Sequence, residues 1–254
     1  MKFSFKLRYP LVFICICILF FYLGSSALAA EESEGENASN PLAKVKNTDL
    51  RWQYLDMDTE HVNDFFIDGA FMAKDKLKIK YELHYWETDL SGDSEQNLES
   101  VTLKAIYFGN DGMWGETGYR LALGLDWIVD LGDQEKSIGS GSDQLGPFAG
   151  VALGLKGISL IPLVQQFLSY SGKDVNTTAF RLIVIKPMPA QMWIKLDAKV
   201  PIDWENDKAI PATAELQLGK TINKNFGLYL DGLVGLGCDK PYDWGIGTGV
   251  RFTY

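Results

Sequence analysis

Polar and apolar residues alternate with a period of two along most of this chain. In the segment 120–131, one face of an extended strand would carry Leu121, Leu123, Leu125, Trp127, Val129 and Leu131. The other face would carry Arg120, Ala122, Gly124, Asp126, Ile128 and Asp130. The segments 77–85 and 192–202 repeat the pattern. A helix would spread the leucines around its circumference, so the pattern predicts half-buried β-strands.

This alternation, with the turn residues that interrupt it, predicts twelve strands. They run over residues 47–57, 61–73, 77–88, 98–109, 117–131, 144–156, 158–171, 176–186, 190–202, 210–221, 225–237 and 243–254. The alternation is weaker in 61–73, at Phe65-Phe66, and in 158–171, so the faces of those strands stay open. An even number of strands lets the first and last pair antiparallel. We therefore expect an all-β fold, a single antiparallel barrel over residues 46–254.

The predicted connections fall into two classes that alternate along the chain. Tight turns are expected at 74–76, 156–157, 186–189 and 222–225. Longer and mostly polar or acidic loops are expected at 89–97, 131–143, 172–175, 203–209 and 238–242. The connection 110–116 is an exception, because it falls on the tight-turn side and has about seven residues. Short turns at one rim and longer loops at the other are typical of outer-membrane barrels.

Aromatic residues are expected at both ends of the strands. Trp127, Trp204, Tyr242 and Trp244 fall at the long-loop end, and Phe226, Tyr254 and Tyr119 at the other. Two such girdles mark the interfaces of a membrane. A soluble β-sandwich or lipocalin-like barrel with its apolar face inside would show the same periodicity. The girdles and the two chain termini favour the transmembrane β-barrel.

The N-terminus has the parts of a secretory signal peptide. Lys2, Lys6 and Arg8 precede thirteen apolar residues at 11–23, and 27–30 offers a small-residue cleavage site. Thirteen residues are too few for a bilayer-spanning helix, which needs about 20. We expect a cleaved signal peptide over 1–30. The polar, acidic stretch that follows predicts a disordered leader over 31–45.

The C-terminus ends on an aromatic residue, and Val250, Phe252 and Tyr254 fall on one face of the last strand. This looks like the closing strand of a bacterial outer-membrane β-barrel, in which the terminal aromatic belongs to the signal read by the assembly machinery. The resemblance implies location in the bacterial outer membrane. It also implies two partners, the outer-membrane lipid and the barrel assembly machinery.

The charge balance argues against nucleic acid as a partner. The net charge is −9, and without residues 1–30 it becomes −12, from 24 − 3 = 21 basic against 33 acidic residues. Clustered basic residues are needed to bind phosphate, so nucleic acid is not an expected partner. Only Cys238 remains after residues 1–30, so no intramolecular disulfide is expected.

If the apolar face meets lipid, the polar face lines the lumen, where we expect the solute pathway. The residues predicted to face it are Arg51, Lys78, Lys80, Glu82, His84, Lys104, Arg120, Asp126, Arg181, Lys195, Asp197, Lys199, Glu215, Asp231 and Arg251. Charges in this place are either pathway elements or halves of structural ion pairs. Twelve strands lie between a filled interior and an aqueous channel. The lumen could therefore be a narrow pore, or be blocked by the leader or by a loop.

Catalytic, metal and cofactor signatures are weak. Neither the His-x-Ser pattern of outer-membrane phospholipases nor the Asp-x-His pattern of omptin proteases occurs. Glu82 and His84 share a face and could be an acid–base pair, but a structural hydrogen bond is the expected role. His61 and His84 are the only histidines and show no metal-ligand spacing. We expect neither an enzyme nor a cofactor nor a metal site.

One region resembles a known family. The stretch 130–143, with Asp130-Leu-Gly-Asp and then Gly139-Ser-Gly-Ser, precedes the alternating strand at 146–153, and the last strand alternates glycine. These features resemble outer-membrane proteins of the MetA pathway of phenol degradation, which are described as transporters. The resemblance implies a barrel that takes up small organic molecules, hydrophobic or aromatic ones included. We therefore expect a passive channel or transporter for small solutes. The alternative is a non-conducting structural or adhesive barrel with acidic surface loops.

Overall fold

The computed structural model describes residues 37–254. The predicted signal peptide, 1–30, and residues 31–36 of the predicted leader lie outside the described residues. Twelve strands form one closed antiparallel sheet. They are β1 (Asn47–Met57), β2 (Glu60–Lys74), β3 (Leu77–Thr88), β4 (Glu95–Trp114), β5 (Thr117–Asp130), β6 (Ser142–Leu155), β7 (Ile158–Gly172), β8 (Asn176–Met188), β9 (Met192–Asp203), β10 (Ala212–Asn223), β11 (Phe226–Leu236) and β12 (Trp244–Thr253). Among these residues, no helix has the length and apolarity to cross a bilayer.

The barrel closes where the first strand meets the last. β1 pairs with β12 from Asn47 opposite Thr253 to Asp56 opposite Trp244, and on its other edge β1 pairs with β2. Every strand is antiparallel to both neighbours and lies beside the strands next to it in sequence. The prediction of a single twelve-stranded antiparallel barrel is confirmed.

The two rims differ in the length of their connections. At the short-turn rim the strands are joined by residues 75–76, 115–116, 156–157, 189–191 and 224–225. At the long-loop rim they are joined by residues 58–59, 89–94, 131–141, 173–175, 204–211 and 237–243. The seven-residue connection predicted at 110–116 is wrong: β4 continues to Trp114, which faces Thr117 across a two-residue turn. An irregularity between Phe108 and Asp111 shifts the pairing there, so the alternation that would reveal the strand is interrupted.

Large apolar side chains cover the outer face. Leu123 and Leu230 are 62% and 65% exposed, and exposed leucines, isoleucines, valines and phenylalanines recur on strands all around the barrel. Trp127, Trp204 and Trp244 are exposed towards the long-loop rim. An apolar belt of this extent is stable against lipid and not against water. The charged side chains lie on the opposite, inner face, where Asp49, Lys195 and many others are buried.

A stretch that precedes β1 lies inside the barrel. We call residues 37–46 the inner segment. Its Leu42 and Ala43 are fully buried. Leu42 belongs to an apolar cluster on the inner face, together with Ile106, Phe108, Ala122, Ile161, Ile183 and Ile185. The expectation of disorder is therefore wrong for residues 37–45, because apolar burial against β4, β5, β7 and β8 compensates for the polar composition that predicted it.

Glycines allow bulky rings to lie flat against the inner wall. A methyl group at Gly219 would overlap the indole of Trp193 on the neighbouring β9, and one at Gly249 would overlap the phenol of Tyr229 on β11. Only residues without a Cβ permit so close an approach. The rings thereby fill the lumen near the short-turn rim.

Candidate solute pathway in the lumen

Three strands on one side of the barrel hold the inner segment. Lys78 of β3 donates from Nζ to the carbonyl oxygens of Ala43 and Pro41, at 2.7 and 3.3 Å. Arg120 of β5 donates to the carbonyl oxygen of Leu42 at 3.1 Å. Lys44 forms an ion pair of 3.1 Å with Asp111 of β4. Lys78 and Arg120, both predicted to line the lumen, thus bind the chain's own backbone.

The opposite side of the barrel holds the start of the same segment. The Ser39 hydroxyl donates to Gln217 Oε1 of β10 at 2.9 Å. It also accepts a bond of 2.8 Å from Arg251 of β12. Since its contacts reach β3 to β5 on one side and β10 and β12 on the other, the inner segment crosses the lumen near the short-turn rim.

A buried ion pair lies beside this crossing. Arg251 donates to both carboxylate oxygens of Asp49, with NH2 2.7 Å from Oδ2. Tyr229 donates its hydroxyl to Oδ2 at 2.9 Å, and Asn47 donates to Oδ1 at 2.8 Å. Asp49 is only 1% exposed. Three side chains, Arg251, Tyr229 and Asn47, thus satisfy a carboxylate that water does not reach, as a buried charge requires.

A cavity of about 340 Å³ occupies the lumen next to the inner segment, which contributes Ala38, Ser39 and Pro41 to its boundary. The charged or titratable side chains that line it are Arg51, Asp68, Lys78, Lys80, Glu82, His84, Lys104, Asp126, Arg181, Lys195, Asp197, Lys199 and Arg251. Of the residues predicted to line the lumen, Arg120, Glu215 and Asp231 are not part of this lining. Arg120 binds the inner segment, and Glu215 and Asp231 are ion-pair partners of Arg51.

Ion pairs between strands fix most of the charges. Arg181 of β8 binds the two carboxylate oxygens of Asp197 of β9, at 2.7 and 2.6 Å. Lys195 of β9 lies 2.6 Å from Glu215 of the neighbouring β10. Lys104 lies 3.0 Å from Asp126. The wall therefore presents both signs of charge in fixed positions.

His84 has a different partner from the one that its spacing suggests. Its Nδ1 lies 2.9 Å from Asp64, and its ring stacks on Phe66 at 4.6 Å between centroids. Glu82 instead lies 3.5 Å from Lys80 and 3.8 Å from Lys104. A Glu82–His84 pair is therefore not formed. Alternation along one strand shows a shared face but not which residue the neighbouring strand places opposite.

Several lumen residues were not predicted. Asp49 shares the face of Arg51 and could have been found from the same alternation. Asp64, Phe66 and Asp68 lie on β2, where the adjacent Phe65 and Phe66 obscure the pattern. Gln165 and Phe167 lie on β7, whose alternation is also weak.

The long-loop rim carries one well-defined acidic contact. Asp89 accepts a bond of 2.6 Å from the backbone N–H of His61, and its other oxygen lies 2.9 Å from His61 Nδ1. The bond from the backbone N–H, more than the imidazole, lowers the pKa of Asp89. Within residues 37–254, no group of three or more His, Cys, Asp or Glu side chains is arranged to hold a metal ion. Cys238 is exposed and free.

The outward face of β12 carries the predicted assembly signal. Phe252 and Tyr254 are 41% and 64% exposed, and Phe252 packs edge-on against Phe226 of β11. The aromatic end is thus available at the short-turn rim. Its recognition by the assembly machinery stays a prediction.

Comparison with known proteins gives a clear result only at the level of fold. No family model and no curated protein matches the chain. An outer-membrane channel from Pseudomonas putida F1 matches with a TM-score of 0.64 at 8% identity, over 88% of this chain and 100% of that one. The NanC porin matches with a TM-score of 0.62 at 10% identity, over 82% and 100%. Outer membrane phospholipase A from Escherichia coli matches with a TM-score of 0.51 at 12% identity, over 85% and 94%.

The closed barrel, its apolar belt and these likenesses show that the chain has the fold of porin-like outer-membrane β-barrels. Two of these three structures are channels or porins. The narrower resemblance to proteins of the MetA pathway stays a prediction.

Proposed function

We propose that this protein is a passive outer-membrane channel for small polar and charged solutes. The observation that carries the proposal is the cavity of about 340 Å³ inside the barrel, with charged side chains of both signs around it. Its volume lies in the range of small-molecule sites, roughly 300–1,000 Å³. Such a pathway needs no cofactor and no chemical step.

The lining favours polar solutes over the hydrophobic or aromatic ones that the MetA-pathway resemblance implies. Thirteen of the lining residues carry charged or titratable side chains, whereas Phe66 and Phe167 supply the only aromatic rings. Transfer of an aromatic hydrocarbon from water to a wall of ion pairs gains little from the hydrophobic effect. A solute with its own charges or hydroxyl groups can replace the water that these side chains bind.

In this proposal the inner segment restricts the channel at the short-turn rim. It crosses the lumen and is held there by hydrogen bonds, ion pairs and the burial of Leu42, all of which are reversible. Passage of a solute then requires the segment to shift. A charged residue in place of Leu42 should favour that shift, because it cannot be buried among Ile106, Phe108 and Ile183.

Recordings of purified, refolded protein in planar bilayers test the proposal. The wild-type protein should show discrete conductance steps, and Leu42→Asp should show larger or more frequent ones. Lys46→Asp is the control, because Lys46 is exposed. If neither wild type nor Leu42→Asp conducts, although both migrate as folded barrels on unheated gels, the channel proposal is wrong.

The second candidate is a non-conducting structural or adhesive barrel. The inner segment favours it, because a segment that never leaves the lumen would close it. The ion pairs of the wall would then serve stability alone. Absence of conductance in both proteins just described, together with a loss of stability in Leu42→Asp, would support this candidate.

The proposed assembly partner can be tested separately. We propose that Val250, Phe252 and Tyr254 act as the signal for the barrel assembly machinery and that the apolar belt faces outer-membrane lipid. Phe252→Ala with removal of Tyr254 should lower the amount of folded protein in outer-membrane fractions of expressing cells. Unchanged amounts would exclude this role for the terminal aromatic residues.

A further inference from the structure

Lys199 differs from the other basic residues around the cavity. Six of the others have a charged group within 4.0 Å of a carboxylate oxygen: Arg51, Lys80, Lys104, Arg181, Lys195 and Arg251. Lys78 is bound by backbone carbonyls. Within the described part of the chain, Lys199 has neither an ion pair nor a hydrogen bond. Its Nζ lies 5.2 Å from the centre of the Phe167 ring, a cation–π contact.

The register of the strands explains why Lys199 lacks a partner. In the sheet, Lys199 lies opposite Arg181 of β8 and opposite Thr213 of β10. Neither of these neighbours has a carboxylate. Asp197, two residues away on the same face, is bound to Arg181 and lies 3.7 Å from Lys195. An ammonium group removed from bulk water is costly unless an anion accompanies it.

Asp126, which lines the same cavity, has a carboxylate oxygen without a hydrogen-bond partner. Asp126 Oδ2 accepts a hydrogen bond of 2.8 Å from Gln165 and lies 3.0 Å from Lys104 Nζ. Asp126 Oδ1 is buried and has no hydrogen-bond partner. Buried polar atoms are ordinarily paired, so this oxygen is positioned for a donor that a ligand would supply.

We propose that the cavity binds a small hydroxycarboxylic acid. Its carboxylate pairs with Lys199, and one of its hydroxyl groups donates to Asp126 Oδ1. The Phe167 ring, which lines the same cavity beside Lys199, offers an apolar surface to the carbon skeleton. This assignment deepens the proposed function, since it names the solute class of the channel.

Chemical complementarity selects this class among small solutes. A simple fatty acid would satisfy Lys199 and leave Asp126 Oδ1 without a donor. A neutral sugar would satisfy Asp126 and leave the ammonium group without an anion. A hydroxycarboxylic acid provides both groups in one molecule, and hydrogen bonds to charged groups are stronger than those between neutral ones.

Calorimetric titration of the purified barrel in detergent with three six-carbon probes tests the site. Gluconate has a carboxylate and hydroxyl groups, hexanoate lacks the hydroxyls, and glucose lacks the carboxylate. Gluconate should bind more tightly than either of the others. Lys199→Met should weaken gluconate binding by about tenfold or more, as expected from the loss of one charged contact. Equal affinity of gluconate and hexanoate would overturn the role of Asp126.

Lys156→Met is the matched control, because it removes the same charge from an exposed lysine in the turn between β6 and β7, outside the cavity. Its affinity for gluconate should stay within about twofold of wild type. Equal losses in Lys199→Met and Lys156→Met would show a general effect of positive charge and overturn the site. Failure of gluconate to bind a conducting barrel would overturn the site alone. Binding to a barrel that never conducts would overturn the channel and leave the site in place.

Discussion

The same types of side chain are used differently at two levels of this lumen. Near the short-turn rim, Asp49 and Arg251 are 1% and 9% exposed and are surrounded by Tyr229, Asn47 and the inner segment. At the cavity, the Arg181 side chain is 38% exposed although it binds Asp197 with similar geometry. Arg251 also borders the cavity, but its ion pair with Asp49 is almost wholly buried, whereas the Arg181 side chain is exposed to a space that a solute could occupy. Ion-pair geometry alone therefore does not reveal whether a charge is structural.

Removal of Arg251, the arginine of the buried pair, should cause the largest loss in the free energy of unfolding. Arg251→Ala leaves the buried Asp49 carboxylate without its cation, a loss of about 3–5 kcal/mol in the free energy of unfolding. Tryptophan fluorescence during urea unfolding in detergent or lipid measures it. Arg251→Lys keeps a cation and should lose less. A loss below about 1 kcal/mol in Arg251→Ala would contradict the distinction between the two levels.

Leu42→Ala tests the apolar part of the same level. Removal of a buried leucine side chain costs about 2–5 kcal/mol. Because the inner segment precedes β1, this cost should favour undocking of the segment before the barrel unfolds. Hydrogen exchange should therefore quicken in residues 37–46 and stay slow in the strands. Equally faster exchange in β4 to β8 would show that the segment and the wall form one cooperative unit.

Gly219→Ala tests how tightly the rings fill the short-turn level. The added methyl group overlaps the Trp193 indole, and such overpacking costs about 1–3 kcal/mol. Gly232→Ala is the matched control, because a Cβ at Gly232 has no neighbour within 4 Å. Urea unfolding of both variants gives the comparison. Equal midpoints would show that the Trp193 ring can move aside without cost.

Among these substitutions, Arg181→Ala should change the free energy of unfolding least. Its guanidinium is partly exposed, and Asp197 keeps Lys195 at 3.7 Å after the substitution. We expect a loss within about 1 kcal/mol, measured by the same unfolding experiment. A loss as large as that of Arg251→Ala would mean that the cavity wall is as rigidly packed as the short-turn level, which would weaken the case for a solute pathway.

Much of the fold could be predicted from the alternation, because inward and outward faces of a barrel impose opposite polarities on successive residues. The alternation at 120–131 and 192–202 corresponds to β5 and β9 within a few residues. It failed where the backbone departs from regular pairing, as at the irregularity between Phe108 and Asp111. There the two-residue period is lost although the strand continues.

The candidate site was less predictable, because it depends on contacts between distant residues. Alternation assigns Lys199 and Asp126 to the inner face but does not show that one lacks a partner. The burial of Leu42 depends on apolar residues from four strands, β4, β5, β7 and β8, some of them more than 140 positions away. The composition of residues 31–45 alone therefore does not predict that Leu42 is buried against these strands.

The tie between Ser39 and Arg251 joins positions that are 212 residues apart. Arg251 belongs to the last strand, which is also the strand that closes the barrel against β1. The inner segment can therefore complete its contacts only once β12 has taken its place in the wall. In an unfinished barrel the short-turn rim would stay open, and docking of the inner segment would mark the end of assembly.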